Sequence, residues 1–497
     1  MPFAPLDPNV CYRALRARDR RFDGTFFVAV HSTGIYCRPI CPARAVSLAG
    51  CSFYARAAEA ERNGYRACFR CRPELAPGLA PMDSTPRLVR RAAAEIDSGS
   101  LDDDSVEALA TQLGVTSRHL RRAMEAELGV SPIEYAQTRR LALAKQLLHD
   151  TTLPLADVAF AAGFGSVRRF NALFKRTFAR APSEVRRSRL AGPARTGGVS
   201  DAITLRLDYR PPLPWETLLA FLRGRAIPGV ESIEGSEYRR TVRLGSHVGW
   251  LSVKHAEGDV PALLADVSTS LVPRLTTIVT RLRAMFDLDA QPQLIAEHLR
   301  KDPLLRPLLA RTPGLRLPGA FDPFEMSVRA VLGQQVSVKG ATTLCGRLVA
   351  AFGRPAALAE GAPEGLHALF PTAAELAEVP VAKLRTIGLP ESRAATILSL
   401  ASNVAMGHID LSGVASYEGT IAALEGLRGI GPWTAHYLAM RALRWPDAFV
   451  AGDLGVRKAL GMPSSRAAEE RAEPWRPWRA YAVMLLWSSL SLPAGGV

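Results

Sequence analysis

The chain has 497 residues, 62 Lys+Arg against 47 Asp+Glu, a formal net charge of +15 and a pI near 9.9. That length exceeds one ordinary core and implies three or four domains, and the basic balance favours a polyanionic partner such as nucleic acid. No apolar run approaches the roughly 20 residues a membrane helix needs, no signal peptide is recognisable, and three of the seven cysteines (Cys11, Cys51, Cys345) are scattered. Neither a membrane partner nor a secreted disulfide framework is expected, and a cytoplasmic protein, taken as a monomer, is the expectation.

Charge is uneven along the chain. Residues 1–196 hold 30 Lys+Arg against 19 Asp+Glu, a balance of +11, whereas the remainder holds 32 against 28, or +4. The front is the more electrostatic half. Most of the cations are arginine, which suits bidentate phosphate contacts but is also what a GC-rich genome produces.

Near the N-terminus Cys37, Cys41, Cys68 and Cys71 form a C-x3-C pair and a C-x2-C pair, 26 residues apart. Two close pairs are how a chain builds a tetrahedral zinc site. On spacing alone the four are either an inert staple or a site containing a nucleophilic thiolate. A proline-rich connector, PELAPGLAPMDSTP, follows at 73–86.

Between this connector and a Gly-rich linker at 191–200, apolar residues recur at helical spacing: Val106, Leu109, Ala110 and Leu113, then Leu120, Met124 and Leu128, then Leu141, Ala144, Leu147 and Leu148. The segment reads as all helix. After the linker, ITLRLDY (203–209), YRRTVRL (238–244) and GWLSVKH (249–255) read as strands of a small α/β domain. From about Pro292 helices return, with starts at Asp322-Pro323, Pro371-Thr372 and Pro390-Glu391. The predicted fold class is multidomain α+β: a small zinc domain, an all-α double helix-turn-helix domain, a small α/β domain and a C-terminal all-α domain.

The segments TGIYCRPICPAR (33–44) and GYRACFRCRPE (64–74) resemble the N-terminal zinc domain of Ada-type methyl-accepting proteins, over about residues 1–78. The resemblance implies one Zn2+ on Cys37, Cys41, Cys68 and Cys71, with Cys37 taking a methyl group from a DNA methylphosphotriester. Methylation would lower the formal charge of the zinc-thiolate group from −2 to −1. At roughly 5 Å and an effective dielectric near 20, one charge against a DNA phosphate is worth on the order of 3 kcal/mol before screening, so methylation tightens DNA binding. Arg44, Arg66, Arg70 and Arg72 are candidate phosphate contacts.

Residues 84–190 are similar to AraC-type DNA-binding domains. VEALATQLGVTSRHLRRAMEAELG (106–129) carries a turn at Gly114 and a recognition helix opening at Ser117; the second unit (155–186) carries Gly163 and opens at Ser166. Such helices place N-terminal side chains in the major groove. Arg118, His119, Arg121 and Arg122, and Arg168, Arg169 and Asn171, are the candidate contacts, although arginine is also common on solvated helix faces. An activator of this type implies promoter DNA and RNA polymerase as partners.

Residues 201–288 and 289–490 resemble the α/β and helix-hairpin-helix parts of AlkA-type DNA glycosylases. The resemblance rests on DPFEMSVRAVLGQQVSV (322–338), LRGIGPWTAHYLAMRAL (427–443) and AFVAGDLGVRKAL (448–460). Gly429 and Gly431 would let a tight hairpin present backbone N–H groups to a phosphate of double-stranded DNA. Asp453 is the candidate catalytic carboxylate, with helix capping as its bland alternative. Trp433, Tyr437 and Trp487 match pocket positions for a flipped alkylated base, with core packing as theirs.

Trp433 stands where strand-cutting relatives carry a lysine, so a hydrolytic enzyme without Schiff-base chemistry is expected. No cysteine follows Cys345, so no iron–sulfur cluster is expected. Gln335 replaces the family's apolar wedge residue. No Pro-Cys-His-Arg methyltransferase motif is present, so reversal of O6-methylguanine is not expected. The leading reading is a DNA alkylation-damage protein that excises alkylated purines and switches on transcription; the alternative is a transcription regulator whose glycosylase-like part only binds DNA.

Overall fold

The computed structural model describes residues 7–43, 46–77, 87–190, 201–258, 261–359, 361–412 and 417–491. Two compact units emerge. Residues 1–210, 244–247 and 256–280 form one, and residues 211–243, 248–255 and 281–497 the other.

The first unit opens with the helix Pro8–Ala17 and a four-stranded sheet of β1 (Phe27–Val30), β2 (Ile35–Cys37), β3 (Cys51–Tyr54) and β4 (Arg66–Ala67), in the order β3-β1-β2-β4. Strand β1 pairs antiparallel with β2 and β3, whereas β2 and β4 run parallel, with Ile35 opposite Arg66 and Tyr36 opposite Ala67. None of these strands was expected from sequence, because at two to four residues each is too short to show an alternating pattern.

Helices follow, as the periodicity predicts. Val106–Gln112 and Ser117–Leu128 form one pair, Leu155–Ala161 and Val167–Phe178 the other, and Pro132–Asp150 lies between them in sequence. Their ends are chemically specified. Thr116 and Ser166 cap the two recognition helices, Ser131 and Glu134 make a reciprocal capping box, and Gly114 and Gly163 adopt the positive φ that the turns require. Leu120 and Met124, and Phe170 and Phe174, are fully buried. Truncating either phenylalanine to alanine removes burial worth about 3–5 kcal/mol.

A second sheet has the order β5-β9-β8-β7-β6, from β5 (Ala202–Asp208), β6 (Glu231–Glu234), β7 (Glu237–Leu244), β8 (His247–His255) and β9 (Ala262–Ser268). The expected strands are β5, β7 and β8. Strand β6 reads as polar (ESIE) and β9 lacks clean alternation, which hid both.

In the second unit the helices Pro323–Leu332, Glu391–Ala405, Pro432–Arg441, Leu454–Leu460 and Arg479–Ser491 carry the chemistry described below. The three helix starts expected from sequence stand at Asp322, Thr372 and Pro390. Within Pro323–Leu332, Glu325 is buried against Arg240 at 2.8 Å. Burial pushes its carboxyl group up to about 7, although the Arg240 guanidinium pulls the other way. A raised folded-state value favours the folded protein below the unfolded carboxyl pKa and is lost as pH rises through 7. Glu325→Gln is therefore expected to raise the unfolding temperature relative to wild type more at pH 8 than at pH 5 in differential scanning calorimetry.

Candidate functional sites

The cysteine site is built by the parallel pairing of β2 and β4. Cys37 ends β2 and Cys68 follows β4, and the Cys68 N–H donates to the Tyr36 carbonyl at 3.0 Å, so residues 31 apart in sequence become neighbours. The four buried sulfur atoms lie within 4.8 Å of one another. A tetrahedron of zinc–sulfur bonds near 2.3 Å needs sulfur separations of about 3.8 Å, so this donor set fits Zn2+ after a small contraction.

The sulfurs differ in their surroundings. The Arg38 backbone N–H donates to Cys71 Sγ at 3.3 Å, the Arg70 N–H to Cys68 Sγ at 3.4 Å, and the Ala43 backbone faces Cys41. Among the described residues no such backbone donor reaches the Cys37 sulfur. A hydrogen bond to a thiolate stabilises its charge and lowers its drive to attack carbon, a restraint that acts on Cys41, Cys68 and Cys71.

Around the site the chain supplies buried polar chains. The Tyr36 hydroxyl donates to Glu61 at 2.8 Å, and Thr138, on the helix Pro132–Asp150, donates to the other Glu61 oxygen at 2.7 Å. Lys145 of the same helix is fully buried and donates to the Cys68 carbonyl at 2.8 Å and to Glu74 at 2.9 Å. Of the arginines considered for phosphate contact, Arg72 is committed inward to Glu74 and Asp150, which corrects that expectation: its Nε, Nη1 and Nη2 already donate to these two carboxylates, whose charge offsets its own. Arg66 is within 3.4 Å of the Phe178 carbonyl, Arg70 is exposed, and Arg44 lies outside the described residues.

Arg118, His119, Arg121 and Arg122 project from the first recognition helix and Arg168, Arg169 and Asn171 from the second; all seven are exposed.

In the second unit, Asp453 bridges two of the three aromatic candidates, Trp433 and Trp487, which come from separate helices. Its Oδ2 accepts from Trp433 Nε1 at 3.1 Å, and its Oδ1 accepts from Trp487 Nε1 at 2.9 Å and from the Val456 N–H at 2.9 Å. The carboxylate is therefore a helix cap and the hub of the aromatic group at once; the two readings offered by sequence do not compete. Trp433 and Tyr437 are one helical turn apart and stack with ring centroids 5.3 Å apart and planes 11° from parallel, and Tyr437 is 6.3 Å from Trp487. All four side chains are half-buried.

Gly429 has φ +93°, and a Cβ there would fall 2.1 Å from Thr396 Oγ1, so the hairpin admits glycine alone. Gly431 caps the helix Pro432–Arg441 with φ −97° and open space around it, so its lack of a side chain is not forced from within. Gln335 is exposed with φ +58°, beside exposed Val336 and Val338.

Several contributors escaped the sequence reading. Gln334 Nε2 donates to the Gly429 carbonyl and to Thr434 Oγ1, both at 2.9 Å, while Arg393 donates to the Gln334 carbonyl at 2.8 Å, tying the Gln335 loop to the hairpin. Arg441 donates to the Tyr437 hydroxyl at 3.3 Å and lies 4.8 Å from the Phe221 ring, which Arg225 covers at 3.8 Å. The GQQ tripeptide was the only local signal for the first group; the second is assembled by tertiary packing and had none.

Comparison with known proteins places four family models along the chain: metal binding domain of Ada (10–74), helix-turn-helix domain (109–188), AlkA N-terminal domain (204–322) and HhH-GPD superfamily base excision DNA repair protein (328–475). The chain is 41% identical over 488 residues, covering 97% of itself and 96% of the relative, to a probable bifunctional transcriptional activator/DNA repair enzyme AlkA of Mycobacterium tuberculosis. DNA-3-methyladenine glycosylase 2 of Escherichia coli is 32% identical over 56% of this chain and 95% of that protein. A solved 3-methyladenine DNA-glycosylase from Archaeoglobus fulgidus shares the fold with TM-score 0.50 and 22% identity, over 58% of this chain and 99% of that one.

Proposed function

Since the chain belongs to the family of bifunctional Ada/AlkA transcriptional activator and DNA repair proteins, which couple the response to alkylation damage to base excision, we propose that it excises alkylated purines by hydrolysis at Asp453 and accepts a methyl group at Cys37. The observation that carries the first half is the convergence of both indole N–H groups on the two oxygens of Asp453.

A base flipped out of the duplex stacks on Tyr437 and Trp487, and its positive charge is attracted by their π-faces. The N-glycosidic bond then breaks with its electron pair going to the base, so 3-methyladenine or 7-methylguanine leaves neutral and needs no general acid. Positive charge develops on the sugar, facing a carboxylate that three donors already hold in place. Water adds at C1′ and gives up a proton, completing hydrolysis. With tryptophan at position 433, no amine is placed there to form a Schiff base.

At the sensor, the Cys37 thiolate attacks the methyl carbon of a methylphosphotriester; the S–C bond forms, the O–C bond breaks, and the diester leaves with its negative charge restored. Bound zinc would hold the four sulfurs deprotonated for this step. The lower charge of the methylated site favours DNA, and the exposed arginines of the two recognition helices read the promoter.

Single-turnover release of bases from methylated duplex DNA tests the catalytic half: free 3-methyladenine or 7-methylguanine from wild type is expected, whereas no release from a properly folded, DNA-binding chain favours the regulator that only binds. Gly431→Ala offers a finer check. Stability is expected to stay within about 0.5 kcal/mol, because the space is open, while DNA affinity falls, because that space is where a phosphate would approach the hairpin. Gly429→Ala is expected to cost about 1–3 kcal/mol through strain and collision with Thr396.

A further inference from the structure

Arg38, the residue after Cys37, is turned away from solvent. Its Nη1 donates to the Cys71 carbonyl at 3.2 Å and to Asp208 Oδ2 at 2.8 Å, and its Nε donates to Asp23 Oδ1 at 2.8 Å. The side chains of Arg38, Asp23 and Asp208 are 3%, 5% and 3% exposed, so this is a buried ion network. Asp208 ends β5, an edge strand of the second sheet and the first strand of the AlkA-like region.

The contact is broad. Arg210 Nε donates to the Asp23 carbonyl at 2.9 Å and its Nη2 to the Pro77 carbonyl at 3.2 Å. From the helical segment, Gln146 Nε2 donates to the Arg206 carbonyl at 2.9 Å, and Arg206 in turn pairs with Asp208 at 2.7 Å. At Gly24, a Cβ would fall 1.9 Å from the Pro77 carbonyl oxygen, so the backbones here approach as closely as glycine permits. An uncovered edge strand invites unwanted pairing, and here its cover is the chain's own front segment.

We propose that β5 is the docking surface for the cysteine module and that Arg38 is its pin, so that metal occupancy controls whether the module stays seated on the sheet edge. The argument rests on reading the four cysteines as a zinc site. Arg38 is held in register by the site itself, through its own N–H to Cys71 Sγ and its guanidinium to the Cys71 carbonyl. Without metal, nothing ties the Cys71 sulfur to the other three, the Cys71 turn loosens, and Arg38 loses both anchors. Asp23 would then be a buried carboxylate that has lost its guanidinium, and Asp208 would lose one of its guanidinium partners, an arrangement folded proteins relieve by opening to water. The state of the sensor is thereby felt at the first strand of the repair half.

Hydrogen exchange on the full chain tests this, after its zinc content is measured. Three samples are compared: metal-loaded wild type, wild type treated with a chelator, and metal-loaded Asp208→Asn. Residues 202–208 are expected to exchange about a hundredfold faster in the second and third samples than in the first. The helices Val167–Phe178 and Pro432–Arg441 are expected to keep their protection and serve as internal references. Unchanged exchange at 202–208 while residues 35–41 lose protection on chelation overturns the proposal. A chain that binds no zinc refutes the metal reading instead, and Asp208→Asn alone then decides the dock: unchanged exchange at 202–208 sinks it. Should Asp208→Asn fail to fold, the chelation pair decides.

Discussion

Asp453→Asn is expected to lower single-turnover release of alkylated purines by roughly 10³-fold, the scale on which removing one preorganised electrostatic contact acts. The substitution keeps the shape and an acceptor oxygen, and asparagine caps a helix about as well as aspartate, so the helix Leu454–Leu460 should hold and stability change by no more than about 1 kcal/mol. What disappears is the negative charge facing the sugar, together with one acceptor: with the oxygen kept for Val456 and Trp487, the amide NH2 faces Trp433 Nε1 and that hydrogen bond is lost. DNA affinity is expected to move little, since the hairpin grip at Gly429 and Gly431 is untouched. Asp453→Ser adds a discriminating arm: serine also caps, so a loss of activity without loss of stability separates chemistry from capping. Equal release by wild type and Asp453→Asn in a chromatographic assay of free bases would place catalysis elsewhere.

Cys37→Ser is expected to abolish methyl uptake from methylphosphotriester DNA altogether while leaving base release within about twofold, because the two sites belong to separate compact units and share no residue. A neutral serine hydroxyl cannot match a thiolate as a nucleophile toward methyl carbon. The remaining sulfurs are poor substitutes, because Cys41, Cys68 and Cys71 each have a backbone donor directed at them, whereas among the described residues none is directed at Cys37. Peptide mapping of wild type after exposure to alkylated DNA is expected to find the methyl on the peptide containing Cys37 alone. Methyl on Cys68 or Cys71 would show that restraint by backbone N–H groups does not select the acceptor.

Much of this architecture is legible in the chain because its signals are local. The cysteine pairs, the helix caps at Thr116, Ser166 and Asp322, and the turn glycines 114 and 163 each act within a few residues, where spacing and side-chain chemistry suffice. The order of four family segments follows from motifs of the same kind. Strands β1–β4 were hidden by their brevity, and β6 by its polar composition; each is fixed by pairing with a partner rather than by its own pattern.

The sites divide the same way. Asp453, Trp433 and Tyr437 fall within 21 residues of one another and belong to a recognisable run, whereas the hydrogen bonds joining Gln334 to Gly429, or Arg38 to Asp208, span 95 and 170 residues and have no sequence signature. The inward turn of Arg72 belongs with them: only the fold reveals that Asp150 waits for it at 2.7 Å. An arginine in a basic stretch looks free until its partner is brought up from elsewhere in the chain.

The central claim is that one chain carries out two separable chemistries at Asp453 and Cys37. It is tested most directly by incubating the zinc-loaded full chain with methylated duplex DNA and measuring both outputs of one reaction, bases freed into solution and methyl groups on the protein, for wild type, Asp453→Asn and Cys37→Ser. The account predicts that wild type yields both, that Asp453→Asn yields methylated protein with almost no free base, and that Cys37→Ser yields free base with unmethylated protein. Loss of both outputs in a folded, zinc-loaded Asp453→Asn, or undiminished base release from it, would contradict the account.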